Sequence, residues 1–247
     1  MRQPPQRQGG LSLVELMVAI TLGLTLMAAL GYIFLGSRQS FVGNDAGARM
    51  QESGRFVMDV LHRNIAEAGY VEISAVFTES KVAFNGTPIN GEDGVTSMKT
   101  GERLAGTDYL AVSLETDADC LGNAIAAGTE ASNELYISAT NELMCDGSGD
   151  AAGGQVVAEG VEDLQLRYGL DENGDGSVDI YKNQPASAAE WSRVLVVQAC
   201  VLVRSTDNGV VDTAQTYRNC AGNDVTASDR RLRRAFTAAF SLRNRGT

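Results

Sequence analysis

Histidine is nearly absent. His62 is the only one in 247 residues, and no two of the four cysteines form a Cys-x-x-Cys pair. A zinc site built from those ligand types has too little to work with. The same scarcity removes a nucleophile–base pair of the Ser–His or Cys–His kind. No glycine-rich phosphate loop follows a strand-like run. Positive charge is also short: Lys plus Arg is 20 against 31 Asp plus Glu, a net charge of −11. Phosphate contacts need clustered Lys and Arg, so nucleic acid is not an expected partner. No internal repeat is visible. These absences point to a protein that is not an enzyme and carries no obligate cofactor.

A long apolar run is what the chain does have. From Leu11 to Leu35 the only polar side chains are Ser12, Glu15, Thr21 and Thr25. A helix needs about 20 such residues to cross a bilayer. An acid inside such a span costs roughly 2.5–3.5 kcal/mol on insertion scales, so Glu15 asks for a reason. Ahead of the run lies a polar leader, Met1 to Gly10, with Arg2 and Arg7 and no acid. Those arginines hold the leader in the cytoplasm and direct the rest outward. Cys120, Cys145, Cys200 and Cys220 then all lie on the exported, oxidising side, where an even count reads as two disulfides. Three pairings are open, and proximity favours Cys120–Cys145 with Cys200–Cys220.

Beyond Gly36 polar residues enter but the helical pattern persists. Val57, Leu61 and Ile65 are spaced by four, with Phe56 and Val60 beside them, which makes one apolar stripe. Gly69 supplies a C-terminal stop. A continuous helix from Leu11 to Ala68 would be about 87 Å long. Gly23, Gly31, Gly36, Gly43 and Gly47 interrupt it, each weakening it by up to about 1 kcal/mol. They suit a helix that bends when packed, or one that approaches another closely, as Ala19 and Gly23 would allow.

After Tyr70 the pattern changes to strands and turns. Strand-like runs cover Tyr70–Phe77, Asp108–Glu115, Glu134–Ser138, Val161–Leu170, Arg193–Arg204 and Phe236–Arg243. Arg193–Arg204 is almost continuously apolar and reads as a central strand covered on both faces. Ala186–Trp191 reads as one helical turn. Strands segregated from one long N-terminal helix indicate an α+β fold, with an antiparallel sheet domain packed on that helix. The expected organisation is a leader at 1–10, a membrane-spanning half-helix at 11–35, an amphipathic half-helix at 36–69 and a β-rich domain at 70–247.

The stretch Gly9-Gly10-Leu11-Ser12-Leu13-Val14-Glu15-Leu16, with its basic leader, resembles the processing site of type IV prepilins. An ordinary signal peptide is cut after its apolar stretch, not before it. The resemblance implies cleavage after Gly10 by a prepilin peptidase, N-methylation of Leu11, and a subunit-packing role for Glu15. Leu11 stands where that family most often has Phe. Downstream, Gly106–Leu110, Gly160–Gly169, the acidic turn Asp171–Asp179, the Trp191–Arg204 strand and the ending Arg230–Asn244 are similar to the PilW family of minor pilins. That likeness implies a pilin-like fold and a place in an inner-membrane complex of minor pilins. Such a complex primes polymerisation of the major pilin and sits at the fibre tip, with a large adhesin-like partner. Glu15 would set the axial register by pairing with a neighbouring subunit's terminal amine.

One other segment carries site chemistry. Asp171, Asn173, Asp175 and Asp179 occupy positions one, three, five and nine of an EF-hand-type loop, with Gly176 at six. Position twelve is Lys182, so the usual bidentate Glu is missing. A weak Ca²⁺ site is one use of this loop; a hairpin turn in which Asp, Asn and Gly satisfy the backbone is the favoured one. His62 is expected to face solvent and Trp191 to sit in a core or contact. The basic cluster Arg230, Arg231, Arg233 and Arg234 is expected to be a solvated strand edge. Two alternatives to a minor pilin stand: a minor pseudopilin of type II secretion, and a membrane-anchored adhesin that does not polymerise.

Overall fold

The structure is a computed structural model that describes residues 12–71, 84, 86–94, 103–149 and 153–244. Helix α1 runs Leu13–Glu67, and the chain divides into two compact units, one ending at Asp45 and one starting at Ala46. In the first unit the apolar side chains of α1 are exposed, from Leu13 and Leu16 to Phe34 and Leu35. The helix is long and apolar enough to cross a membrane. Its two threonines fit that setting. The Thr21 hydroxyl donates to the Val18 carbonyl and the Thr25 hydroxyl to the Leu22 carbonyl, each at 2.9 Å. Neither threonine hydroxyl is therefore left to lipid without a partner.

In the second unit α1 buries Met50, Gly54, Val57, Leu61 and Ile65, spaced four, three, four and four apart. Fully burying an aliphatic side chain of this kind is worth about 1.5–3 kcal/mol, so the stripe anchors the helix to the β domain. Gly69 ends the helix with φ +73°, and a Cβ there would collide with the Asn244 carbonyl.

Three sheets follow. β1 (Ile89–Glu92), β2 (Tyr109–Glu115), β3 (Glu130–Ile137), β4 (Glu142–Gly147) and β5 (Gln155–Glu159) form an antiparallel five-stranded meander in chain order. β6 (Val161–Leu170), β7 (Ile180–Lys182), β8 (Val194–Arg204) and β11 (Arg233–Ser241) form a four-stranded sheet in the order β11-β8-β6-β7. β9 (Thr216–Arg218) and β10 (Asp224–Thr226) pair as a small hairpin. The one-turn helix α2, Ala188–Trp191, precedes β8. One core joins the helix stripe to both large sheets through Leu110, Val112, Leu135, Leu164, Val197 and Val201.

The fold is thus the expected long helix with antiparallel sheet, but the sheet is divided. β1, β4 and β5 were not legible as strands, nor were the three-residue strands β7, β9 and β10. Tyr70 and Val71 are not in a strand, and the rest of the expected Tyr70–Phe77 strand lies outside the described residues. β8 is central, as its apolar run suggests, and no residue in it is exposed. Disulfides join Cys120 to Cys145 and Cys200 to Cys220, with Cα–Cα distances of 6.5 and 5.6 Å.

Candidate functional site

The start of α1 is built by two side chains. Ser12 precedes the first helical residue, and its hydroxyl accepts from the Glu15 N–H at 3.2 Å. The Glu15 carboxylate accepts from the Ser12 N–H through Oε2 at 3.0 Å. This reciprocal Ser-x-x-Glu arrangement is a capping box, which satisfies two otherwise orphaned donors of the first turn. The positive end of the helix dipole also favours an acid there. Glu15 therefore has a local task that reading it as a lone charge in lipid overlooked. Its second oxygen, Oε1, has no partner among the described residues, and the neighbours Leu13, Leu16 and Met17 are apolar and exposed. An oxygen held at a helix terminus with one lone-pair face unoccupied can accept a cation or N–H from outside the chain. Gly10 and Leu11, the expected cleavage and methylation positions, lie outside the described residues.

The acidic loop is occupied with its own backbone. Asp171 is 7% exposed, and its two carboxylate oxygens accept from the N–H groups of Gly174 (2.6 Å) and Gly176 (2.8 Å). Both glycines have positive φ, +82° and +83°, as this tight turn requires. Asp179 Oδ2 accepts from the Glu172 N–H, the Asn173 side-chain oxygen from the Asp175 N–H, and Asp175 from the Ser177 N–H. The Ser177 hydroxyl and N–H hold the Asp175 carboxyl below its usual range. Among the described residues, no group of three or more His, Cys, Asp or Glu side chains is placed to hold a metal ion. The geometry is that of a hydrogen-bonded turn.

The basic cluster departs from expectation. Arg233 is buried and bonds both Glu162 (Nε to Oε2, 2.7 Å) and Asp229 (Nη1 to Oδ1, 2.5 Å). Arg204 also reaches Glu162, at 3.0 Å. The hydrogen bond from Arg233 pulls the Asp229 carboxyl down to about 2. Arg231 donates to the carbonyls of Ser205 and Thr206. Only Arg230 and Arg234 of the four are exposed. A buried guanidinium needs this full set of acceptors, since an unpaired one would cost several kcal/mol. Nothing in the run Arg230–Arg234 itself identifies Glu162 as the partner, 71 residues away in the chain.

Asp108 was not anticipated. It is 2% exposed and ties the two large sheets together, accepting from Gly94 N–H at 2.8 Å and Leu166 N–H at 2.6 Å. Burial pushes its carboxyl up to about 6, against the lowering effect of those two bonds. His62 is exposed, with its ring stacked on Phe240 at 5.4 Å. Trp191 is buried, edge-on to Tyr168 at 4.7 Å. Neither is arranged as a catalytic group.

Residues 5–31 match the prokaryotic N-terminal methylation motif, and residues 124–244 match the family of type IV pilus-assembly protein W. Between them the two matches span more than half of the chain. No curated protein sequence matches it. Among solved structures it is similar to a type IV-like pilin from Thermus thermophilus, with a TM-score of 0.49 and 14% identity, over 78% of this chain and 96% of that one. The methylation motif encloses the Ser12–Glu15 pair, and the second match runs from before β3 to the end of β11. The PilW match over residues 124–244 and the methylation motif over residues 5–31 together support a minor pilin of type IV pilus assembly.

Proposed function

We propose that the chain is made as a precursor, cut after Gly10 by prepilin peptidase and methylated on Leu11. It then joins other minor pilins in a complex that primes the pilus and remains at its tip with an adhesin-like partner. Before assembly the first half of α1 anchors it in the inner membrane, with Arg2 and Arg7 in the cytoplasm and the β domain outside. Family and fold point to a structural, non-catalytic role.

One observation carries this reading: an acid fixed in the first turn of an exposed apolar helix, with one carboxylate oxygen unpartnered among the described residues. In a fibre built from such helices that oxygen would meet the terminal amine of a neighbour. A subunit out of register would leave it unpaired in an apolar setting, at a cost of a few kcal/mol. Intact-mass measurement on the membrane-extracted protein tests the first step. The expected mass lacks Met1–Gly10 and includes one added methyl group. Retention of the leader would favour an anchored, non-polymerising protein and sink the proposal.

A further inference from the structure

Strand β11 has nine residues, while the other outer strands of the two large sheets, β1, β5 and β7, have four, five and three. Its inner side pairs with β8 in unbroken register, from Arg233 opposite Arg204 to Ser241 opposite Val196. Two hydrogen bonds fix which backbone groups point outward. Leu242 N–H donates toward β8, to the Leu195 carbonyl, whereas Arg233 N–H donates away from it, to Gln215 Oε1. In an antiparallel ladder these directions alternate residue by residue. Ala235, Thr237, Ala239 and Ser241 therefore turn N–H and C=O away from β8, and among the described residues nothing pairs with them.

Protein edges are normally blunted by a Lys, a Pro, a bulge or a covering element. Ala235–Ser241, reading AFTAAFS, has no charge, no proline and no register shift. Thr237, Ala239 and Ser241 are small and exposed, so they do not screen the backbone beside them. At the Arg233 end the β9–β10 hairpin lies against β11, with Gln215 accepting the Arg233 N–H and the Tyr217 ring under the Arg233 guanidinium. An edge of this length and composition would pair indiscriminately unless a partner covers it.

We infer that the β11 edge receives an extended strand from a different polypeptide, which adds a fifth strand to the β11-β8-β6-β7 sheet. Charge selects the occupant. Antiparallel pairing with a second copy centred on Ala238 would bring the exposed Arg243 of each to the end of the other that carries the exposed Arg234. Like charges brought together across a strand pair destabilise it. A strand uncharged over the middle, with Asp or Glu at its ends, instead meets Arg234 and Arg243, both exposed and without an acidic partner among the described residues. The inference rests on β11 alone and does not need the pilus reading.

Residue-resolved amide exchange on the full chain in detergent micelles tests it. In the free chain the amides of Thr237 and Ala239 exchange about ten-fold or more faster than those of Phe236 and Ala238, which bond β8. The probe is the peptide Asp-Thr-Val-Thr-Val-Thr-Val-Thr-Asp, joined to Thr247 by a Gly-Ser linker so that weak pairing registers at high effective concentration. It slows the outward amides about ten-fold; a version with Lys at both ends does not. Thr237→Pro, which removes an outward N–H and spares the β8 ladder, abolishes the effect. The double variant Thr237→Lys with Ala239→Lys does the same without touching the backbone. Equal exchange of outward and inward amides in the free chain overturns the inference, as does no protection by the acid-ended peptide. Equal protection by the Lys-ended peptide, or protection that grows with protein concentration alone, overturns the choice of occupant.

Discussion

Ser12 and Glu15 cap each other: the Ser12 N–H meets Glu15 Oε2 at 3.0 Å while the Glu15 N–H meets the Ser12 hydroxyl at 3.2 Å. The acid at the start of the helix therefore holds that start together as well as offering an oxygen outward. The two tasks separate by mutation. Gln at this position keeps the capping geometry and removes the charge. Glu15→Gln and Glu15→Ala are both expected to insert in the membrane and to leave cells without surface pili when each is the sole copy. Only Glu15→Ala loses helix at the terminus, visible as faster amide exchange of Leu13 to Leu16. Normal piliation with either variant would refute the registration role.

Gly54 lies on the buried face of α1, and a Cβ there would overlap the Phe236 ring of β11. Gly54→Ala is expected to lower stability by about 1–3 kcal/mol through overpacking, despite Ala's better helix propensity. Phe236→Leu should recover most of that loss in the double variant. Denaturant titration of the four proteins measures the coupling, and strict additivity would show that the two positions do not meet.

Asp108 makes stability depend on pH in the direction opposite to most acids. Its folded-state carboxyl is raised to about 6 from 3.8, so the stability it contributes is present below about pH 4 and lost as pH rises through 6. At 1.36 kcal/mol per pH unit this is about 3 kcal/mol at most. Asp108→Asn removes the titration. The stability gap between parent and variant should narrow by roughly that amount from pH 4 to 7, read by denaturation at each pH. A gap that stays constant would show that Asp108 ionises normally.

Asp171→Ala strips the acceptors from Gly174 and Gly176 and should cost about 2 kcal/mol. The cost is expected to be the same with and without millimolar Ca²⁺, as measured by thermal melting. A calcium-dependent rise in the parent's melting temperature, abolished by Asp175→Ala, would instead assign the loop to a cation.

The helix stripe was legible because Val57, Leu61 and Ile65 repeat at a spacing that only a helix brings to one face, and all three are fully buried. β8 was legible because a strand in the middle of a core needs a long apolar run, and β6 because Leu164, Leu166, Tyr168 and Leu170 alternate with polar or small residues. The hairpin of β4 and β5 was not, since ELMCDG acquires its pattern only from lying beside β3, and QVVAE only from lying beside β4. β11 begins three residues earlier than Phe236, because Glu162 and Asp229 neutralise Arg233 at a position where charge alone argued against a buried strand. Ser12-x-x-Glu15 was in plain view as a capping signal, but the acid drew attention from the serine. Gly54 had no signal at all, because its constraint is a ring 182 residues further along the chain.

The two disulfides close sequence separations of 25 and 20 residues, one after the other along the chain and without overlap. Each bond can thus be made once its own short segment has emerged, before the rest of the domain exists. A crossed pairing would have to wait for the C-terminal half and for a much longer loop to close, which is entropically slower. Oxidation in order of emergence leads to the native pairing by default, so the chain needs little help from disulfide reshuffling before β11 arrives to complete the sheet.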